Sequence, residues 1–359
     1  MHNTPEPYKA APTIDTVRSS VNQLLAAWFE EQHTAAKPIG TQYAELWQTM
    51  LELSQAGGKR IRPYLTVLSY RAFGGKDIES LLPAAAAQEL LHLGLLVHDD
   101  IIDRDDLRYG QSNISGSYKQ RFSGKTVDPE HYAHSAALLA GDLLISGSYQ
   151  LAFRAQLPPE TLVAISQVLS KAVFDVGGGE FLDTVASFSP VEDFDSLHIA
   201  NFKTASYSFI APLLIGATAA GASSEKQVLL TKLGTSLGIA YQLSDDLLGT
   251  FGDPDRTGKP ADSDIREKKR TYLLQQTFAR SDNEQRKLLT ALLAMDSIAA
   301  PDVELLRKLM VSSGAKEHVE ATMRQCAKDG KKYLEALELD AQHTAALEAL
   351  IDKAVWRNH

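Results

Sequence analysis

IESLLPAAAAQELLHLGLLVHDDIIDRDDL, residues 78–107, decides how the chain is read. Its apolar side chains cover most of the circumference of a 3.6-residue helix, with Pro83 near the start and a cluster of acids at the end. A helix apolar on most sides belongs in the middle of a bundle, so its C-terminal acids are expected to line a central cavity. Asp99 and Asp103 stand one turn apart on a shared face, so both carboxylates can point at one site. Asp99, Asp100 and Asp103 repel one another, and the helix dipole disfavours negative charge at a C-terminus, so something positive should compensate them. A hard divalent cation is the natural candidate, because Mg²⁺ takes oxygen ligands, keeps several waters and commonly bridges one or two carboxylates to phosphates. Taken alone, such a triplet is more often a solvated acidic helix end, since acidic helix surfaces are common.

The pattern recurs. Tyr241-Gln242-Leu243-Ser244-Asp245-Asp246-Leu247-Leu248 repeats Leu95-Leu96-Val97-His98-Asp99-Asp100-Ile101-Ile102: an apolar helix leads into paired aspartates and two more apolar residues. Facing each other, the two acidic helix ends would form a multi-metal cup for one diphosphate.

Elsewhere the apolar spacing is helical too, as in Val21, Leu24, Leu25 and Phe29, then Leu46, Met50, Leu51 and Leu53. Turn signals at 37–38, 57–58, 74–75, 158–159, 189–190 and 252–254 separate such segments, and strand alternation of useful length is absent. The expectation is an all-α fold: one large helical domain over 14–359 after an N-terminal tail, 1–13, read as mobile. With 44% hydrophobic residues the chain can bury a sizeable core, and a net charge of -9 argues against generic nucleic-acid binding. The single cysteine, Cys326, excludes an internal disulfide and multi-cysteine zinc patterns, and it suits a reducing compartment. The most apolar stretch, 209–222, contains Pro212 and is shorter than the roughly 20 residues a bilayer crossing needs, so no membrane span is expected.

From about Gln55 to Thr271 the sequence resembles the trans-prenyl diphosphate synthase (polyprenyl synthetase) family, and within it a geranylgeranyl diphosphate synthase. The resemblance rests on Gly57-Gly58-Lys59-Arg60-Ile61-Arg62-Pro63, His92 with the first aspartates, Arg108 before Gly110, Gly141-Asp142, and Gly178-Gly179-Glu180 with Asp183. It continues through Lys203-Thr204, Gln242 with Asp245-Asp246, Gly258-Lys259-Pro260, and Asp264 with Lys269, in the family's order. It implies an isoprenoid-synthase bundle that condenses isopentenyl diphosphate with an allylic diphosphate, head to tail, in a cytoplasmic homodimer. By the same resemblance Asp99, Asp103 and Asp245 hold about three Mg²⁺ ions, which neutralise charge on the departing diphosphate. Lys59, Arg62 and His92 would hold isopentenyl diphosphate. Arg108, Lys203, Lys259 and Lys269 would grip the allylic diphosphate, and Thr204 and Gln242 would stand beside the developing carbocation.

Product length in this family depends on what blocks a hydrophobic tunnel below the first aspartates. Gly94 and Leu95 stand where short-chain members place an aromatic, so a product of at least twenty carbons is expected, with Leu91 and Phe174 as deeper floor residues. Three positions depart from the family pattern. Tyr109 replaces a second arginine, a loss that Arg104, Lys119 or Arg121 would have to offset. Gly249 replaces the third acid of the second motif, for which Asp253 is a candidate substitute, and Glu180 stands where many members have glutamine. Two rivals stay open. One is a non-catalytic regulatory subunit of a heteromeric synthase; the other is a class I terpene cyclase, which would ordinarily lack both Asp245-Asp246 and the 57–63 motif.

Overall fold

The computed structural model describes residues 12–108, 110–252 and 262–355. The chain runs through α1 (Ile14–Ala36), α2 (Thr41–Gln55), α3 (Ile61–Ala72), α4 (Ile78–Ile102), α5 (Ile114–Phe122), α6 (Pro129–Ala152), α7 (Pro159–Ser187) and α8 (Ser196–Ala200). A π-helix, Asn201–Ile210, leads into α9 (Ala211–Ala219) and α10 (Ser224–Phe251). Further helices span Ser263–Arg266, Tyr272–Arg280, Asn283–Leu293, Ala300–Ser312, Ala315–Ala336 and Ala341–Val355. Among the described residues the only sheet is a two-residue antiparallel pair, β1 (Leu107–Arg108) with β2 (Gln111–Ser112). The fold is all-α, and the turn signals read at 37–38, 57–58, 74–75, 158–159 and 189–190 fall at helix ends, while other breaks, such as those at 123–128 and 281–282, are not among the signals.

Short polar side chains start the helices. Thr13 Oγ1 accepts from the Thr16 amide ahead of α1, Asp77 from Ser80 ahead of α4, and Asp128 from His131 ahead of α6. Each satisfies a donor that has no partner within the helix. The end of α4 is less usual. Asp103 caps it, Arg104 is left-handed at φ 59°, and the Arg104 and Asp105 amides donate to the Ile101 and Asp100 carbonyls. That closure usually uses glycine; here an arginine takes the left-handed position and stops the helix at the acidic cluster.

The described residues form two compact units. One comprises those up to Leu169 plus Pro212–Ala222; the other comprises Ser170–Ala211 and those from Ser223 onward. In the first, Trp28 packs edge-on against Phe29 and Trp47, with ring centroids 5.1 and 5.6 Å apart, over buried Val21, Leu25 and Met50. Helix α4 runs through this unit with Ala84 to Ala87, Leu90 and Leu91 fully enclosed, as its all-round apolar pattern predicts. In the second unit, Leu243 and Leu247 of α10 share a core with Leu273, Leu289, Val319 and Met323.

By length and composition, α4 and α7 are the two helices among the described residues that could cross a membrane. The stretch read as most apolar and too short to cross, 209–222, is divided between the end of the π-helix, α9 and the turn after it. Most of α4 is buried inside the chain, as a core helix is, whereas α7 is largely uncovered.

Candidate active site

The predicted one-turn spacing of the first acids is present: the Asp103 amide donates to the Asp99 carbonyl at 2.8 Å. The compensating positive charge comes from the short hairpin. Pairing of Leu107 with Ser112 and Arg108 with Gln111 folds the chain back, so that Arg108 Nε donates to Asp100 Oδ1 at 2.9 Å. Arg108 Nη2 also contacts Asp100 Oδ1 and lies 3.4 Å from Asp99 Oδ2. Burial pushes the Asp100 carboxyl up to about 6 even against the pull of Arg108. Asp99 is half-buried and Asp103 exposed, which leaves both carboxylates reachable from solvent.

The 57–62 loop meets the same helix further toward its N-terminus. Lys59 is exposed and Arg62 half-buried at the start of α3. Burial, then the charges of Arg62, Arg108 and Arg60, hold the His92 imidazole well below its usual value, although the residue keeps some accessible surface. Arg62 and His92, which the sequence assigned to one ligand, therefore share one positive environment, and it also includes Arg108.

In the second unit the π-helix presents Lys203 and Thr204. A π-turn is wider than an α-turn, and both neighbouring helices make room for it with glycine: a Cβ on Gly179 of α7 would strike the Lys203 backbone, and one on Gly238 of α10 would strike Ala205. Lys203 Nζ donates to Asp183 Oδ2 at 2.7 Å and lies 2.9 Å from Glu180 Oε2. Thr204 Oγ1 donates to Gln242 Oε1 at 2.7 Å, and Gln242 Nε2 donates to Asp246 Oδ1 at 2.8 Å. Burial, reinforced by Asp264, Asp245 and Asp183, pushes the Asp246 carboxyl up to about 8. Lys269 Nζ lies 3.8 Å from Asp264 Oδ1. The second unit thus gathers four aspartates of the sequence motifs, and two of the cations assigned to the allylic diphosphate pair with its acids.

Other expectations fare differently. Gly94 does not leave a passage open: an added Cβ would stand 2.9 Å from Ile145 Cγ1 and 3.0 Å from the Gly141 carbonyl, because this face of α4 packs on α6. The helical phase puts Leu95 on the stripe of α4 shared by His92 and Asp99, while Leu91 is fully buried. Phe174 is 80% exposed on α7, so it floors no cavity inside the chain. Among the residues thought able to offset Tyr109, Lys119 pairs with Asp106 and Arg121 with Glu45, each at 3.0 Å, while Arg104 is exposed just past the end of α4. The space a side chain at Gly249 would need is filled by the Asp264 carboxylate. Lys259, Tyr109, Asp253 and most of the tail over 1–13 lie outside the described residues. Sequence reasoning missed the π-helix, the Glu180–Lys203 pair and the separate use of Arg60; only the glycines at 179 and 238 hinted at the first.

Among the described residues no three His, Cys, Asp or Glu side chains converge as a closed metal cage. The donor set still fits Mg²⁺, which takes few protein carboxylates and fills its remaining positions with water and phosphate. Burial is the main cause of the raised Asp246 value, and Asp264, Asp245 and Asp183 add to it; a divalent cation beside these acids would relieve that added repulsion.

The profile of the polyprenyl synthetase family matches residues 43–310. A geranylgeranyl diphosphate synthase of Sulfolobus acidocaldarius is 34% identical over 82% of this chain and 81% of its own length. A geranylfarnesyl diphosphate synthase of Aeropyrum pernix is 32% identical over 86% of this chain and 92% of its own. Among solved structures, a geranylgeranyl pyrophosphate synthase from Corynebacterium glutamicum, complexed with isoprenyl diphosphate and magnesium, superposes with a TM-score of 0.90 at 30% identity over 97% of this chain and all of its own. With the profile spanning most of the chain and both acid-bearing helices inside the match, this chain belongs to the polyprenyl synthetase family and is a prenyltransferase.

Proposed function

We propose that the chain condenses isopentenyl diphosphate with an allylic prenyl diphosphate to make geranylgeranyl diphosphate or a longer homologue, releasing diphosphate. The observation that carries this is the intact Asp99, Asp100 and Asp103 set at the end of a buried helix with a guanidinium folded onto it. Relatives named for twenty- and twenty-five-carbon products support the length, as does Leu95, an aliphatic residue on the stripe leading to Asp99.

Asp99, Asp103 and Asp245 would hold about three magnesium ions. When bound, these supply the charge that neutralises the departing diphosphate. Arg108, Lys203, Lys259 and Lys269 orient the allylic diphosphate; Arg108 and Lys203 exchange their carboxylate partners for phosphate oxygens, which suit their donors equally well. Lys59, Arg62 and His92 hold isopentenyl diphosphate. The allylic carbon–oxygen bond breaks with its electron pair on the diphosphate, and the Thr204 and Gln242 oxygens stand beside the cation. The double bond of isopentenyl diphosphate then forms the new carbon–carbon bond, and the released diphosphate takes the proton lost from the adjacent carbon. A cytoplasmic homodimer completes the proposal, with a second copy covering the apolar face of α7.

The purified chain alone, given Mg²⁺, an allylic diphosphate and radiolabelled isopentenyl diphosphate, is expected to yield labelled product of twenty or more carbons by chromatography. No incorporation would identify a non-catalytic subunit, and cyclisation without use of isopentenyl diphosphate would identify a cyclase. Asp99→Ala and Asp245→Ala are each expected to lower turnover by about two or more orders of magnitude, with smaller changes in substrate binding. Full turnover in either variant would refute the metal assignment.

A further inference from the structure

The run Lys59-Arg60-Ile61-Arg62 reads as three equivalent cations, but the structure separates them. Arg60 precedes α3 in the left-handed region at φ 52°, a conformation disfavoured for a side chain with a Cβ. Its guanidinium points back into the protein and is only 10% exposed. Nε donates to Asn22 Oδ1 of α1 at 2.8 Å, Nη1 to Glu89 Oε2 of α4 at 3.0 Å, and Nη2 to the Ser54 carbonyl near the end of α2 at 2.5 Å. Glu89 is 4% exposed, and its other oxygen, Oε1, has no hydrogen-bond partner among the described residues, so its buried charge depends on Arg60. Gly58, at φ 116°, makes room for this arrangement, because a Cβ there would lie 2.7 Å from Arg60 Nη1.

We propose that Arg60 is a positioning residue: the Asn22–Arg60–Glu89–Ser54 network pins the loop to three helices and thereby sets Lys59 and Arg62 for the diphosphate of isopentenyl diphosphate. This rests on the substrate assignment of Lys59 and Arg62 made above. Three of the five guanidinium N–H donors are committed to protein acceptors on three different elements, so Arg60 acts through its neighbours in the chain and does not grip phosphate itself. The left-handed turn at Arg60 and the positive φ at Gly58 then set the directions in which residues 59 and 62 leave the loop.

The experiment uses the full chain with Asn22→Ala, Asn22→Asp, Arg60→Lys and Lys59→Ala. Asn22 is exposed, so its replacement leaves the fold intact; lysine at position 60 keeps the charge but lacks the planar fork that serves three acceptors. Asn22→Ala is expected to raise KM for isopentenyl diphosphate about three- to tenfold and Arg60→Lys more, with kcat and KM for the allylic diphosphate unchanged. Amide hydrogen exchange over 57–61 should quicken in both, and Asn22→Asp, which keeps the acceptor, should restore both readouts. If Lys59→Ala raises that KM while Asn22→Ala and Arg60→Lys change neither KM nor exchange, the positioning role is overturned. If exchange quickens but Lys59→Ala leaves KM unchanged, the substrate assignment falls and the positioning role falls with it.

Discussion

His92 is kept neutral by burial and by the guanidinium groups of Arg62, Arg108 and Arg60, and this has a consequence for stability. Its folded value lies below an unfolded value of about 6.5, so its contribution to stability is fully present above that pH and is lost as pH falls below it. Urea unfolding should show a His92-linked loss of stability on going from about pH 7.5 to about pH 5.5. His92→Gln should remove that part of the pH dependence, whereas an identical dependence in the variant would place the imidazole in a different environment. Gly94 is constrained by the close packing of α4 on α6. Because its missing side chain faces Ile145 and the Gly141 carbonyl, Gly94→Phe must push α6 away and should cost about 1–3 kcal/mol or more of stability. A variant that melts like the parent protein and makes a shorter product would show that this face opens onto the prenyl chain after all.

Among the elements, the π-helix separates local propensity from tertiary packing most clearly. The 201–210 segment has helical spacing, and nothing in its composition announces the wider turn. The wider turn is accommodated by small residues on the partners, Gly179 on one side and Gly238 on the other. Gly179→Ala should therefore disturb the backbone at Lys203 directly. The expected result is a loss of about 1–3 kcal/mol in thermal unfolding, together with a fall in turnover larger than the stability change alone explains. Unchanged turnover in a folded variant would mean that the backbone at 203 tolerates displacement and that its present geometry is not needed for the reaction.

For the whole molecule, the feature left unexplained by a single chain is α7. Phe174, Phe181 and Phe188 are 80%, 68% and 88% exposed, and with Val185 they recur at helical spacing along and just beyond this helix. Such a continuous apolar face on one chain is what a partner ordinarily covers. On the homodimer proposed above, replacing Phe181 and Phe188 together with glutamate should halve the mass measured by sedimentation, and an unchanged dimer mass would exclude this face as the contact between copies.

Local sequence carries the all-helical class, several of the helix breaks, the two aspartate clusters and the ordered series of cations, because each is a property of period, turn chemistry or residue type over a few neighbouring positions. It also placed Asp99 and Asp103 on one face, since one helical turn suffices for that. Packing across the chain is what sets Gly94 against α6, commits Arg60 to Asn22 and Glu89 while Lys59 stays exposed, puts Lys203 on a π-turn, and fills the space beside Gly249 with the Asp264 carboxylate. Those outcomes depend on which atoms meet across tens of residues, at separations of a few ångströms that no local pattern encodes.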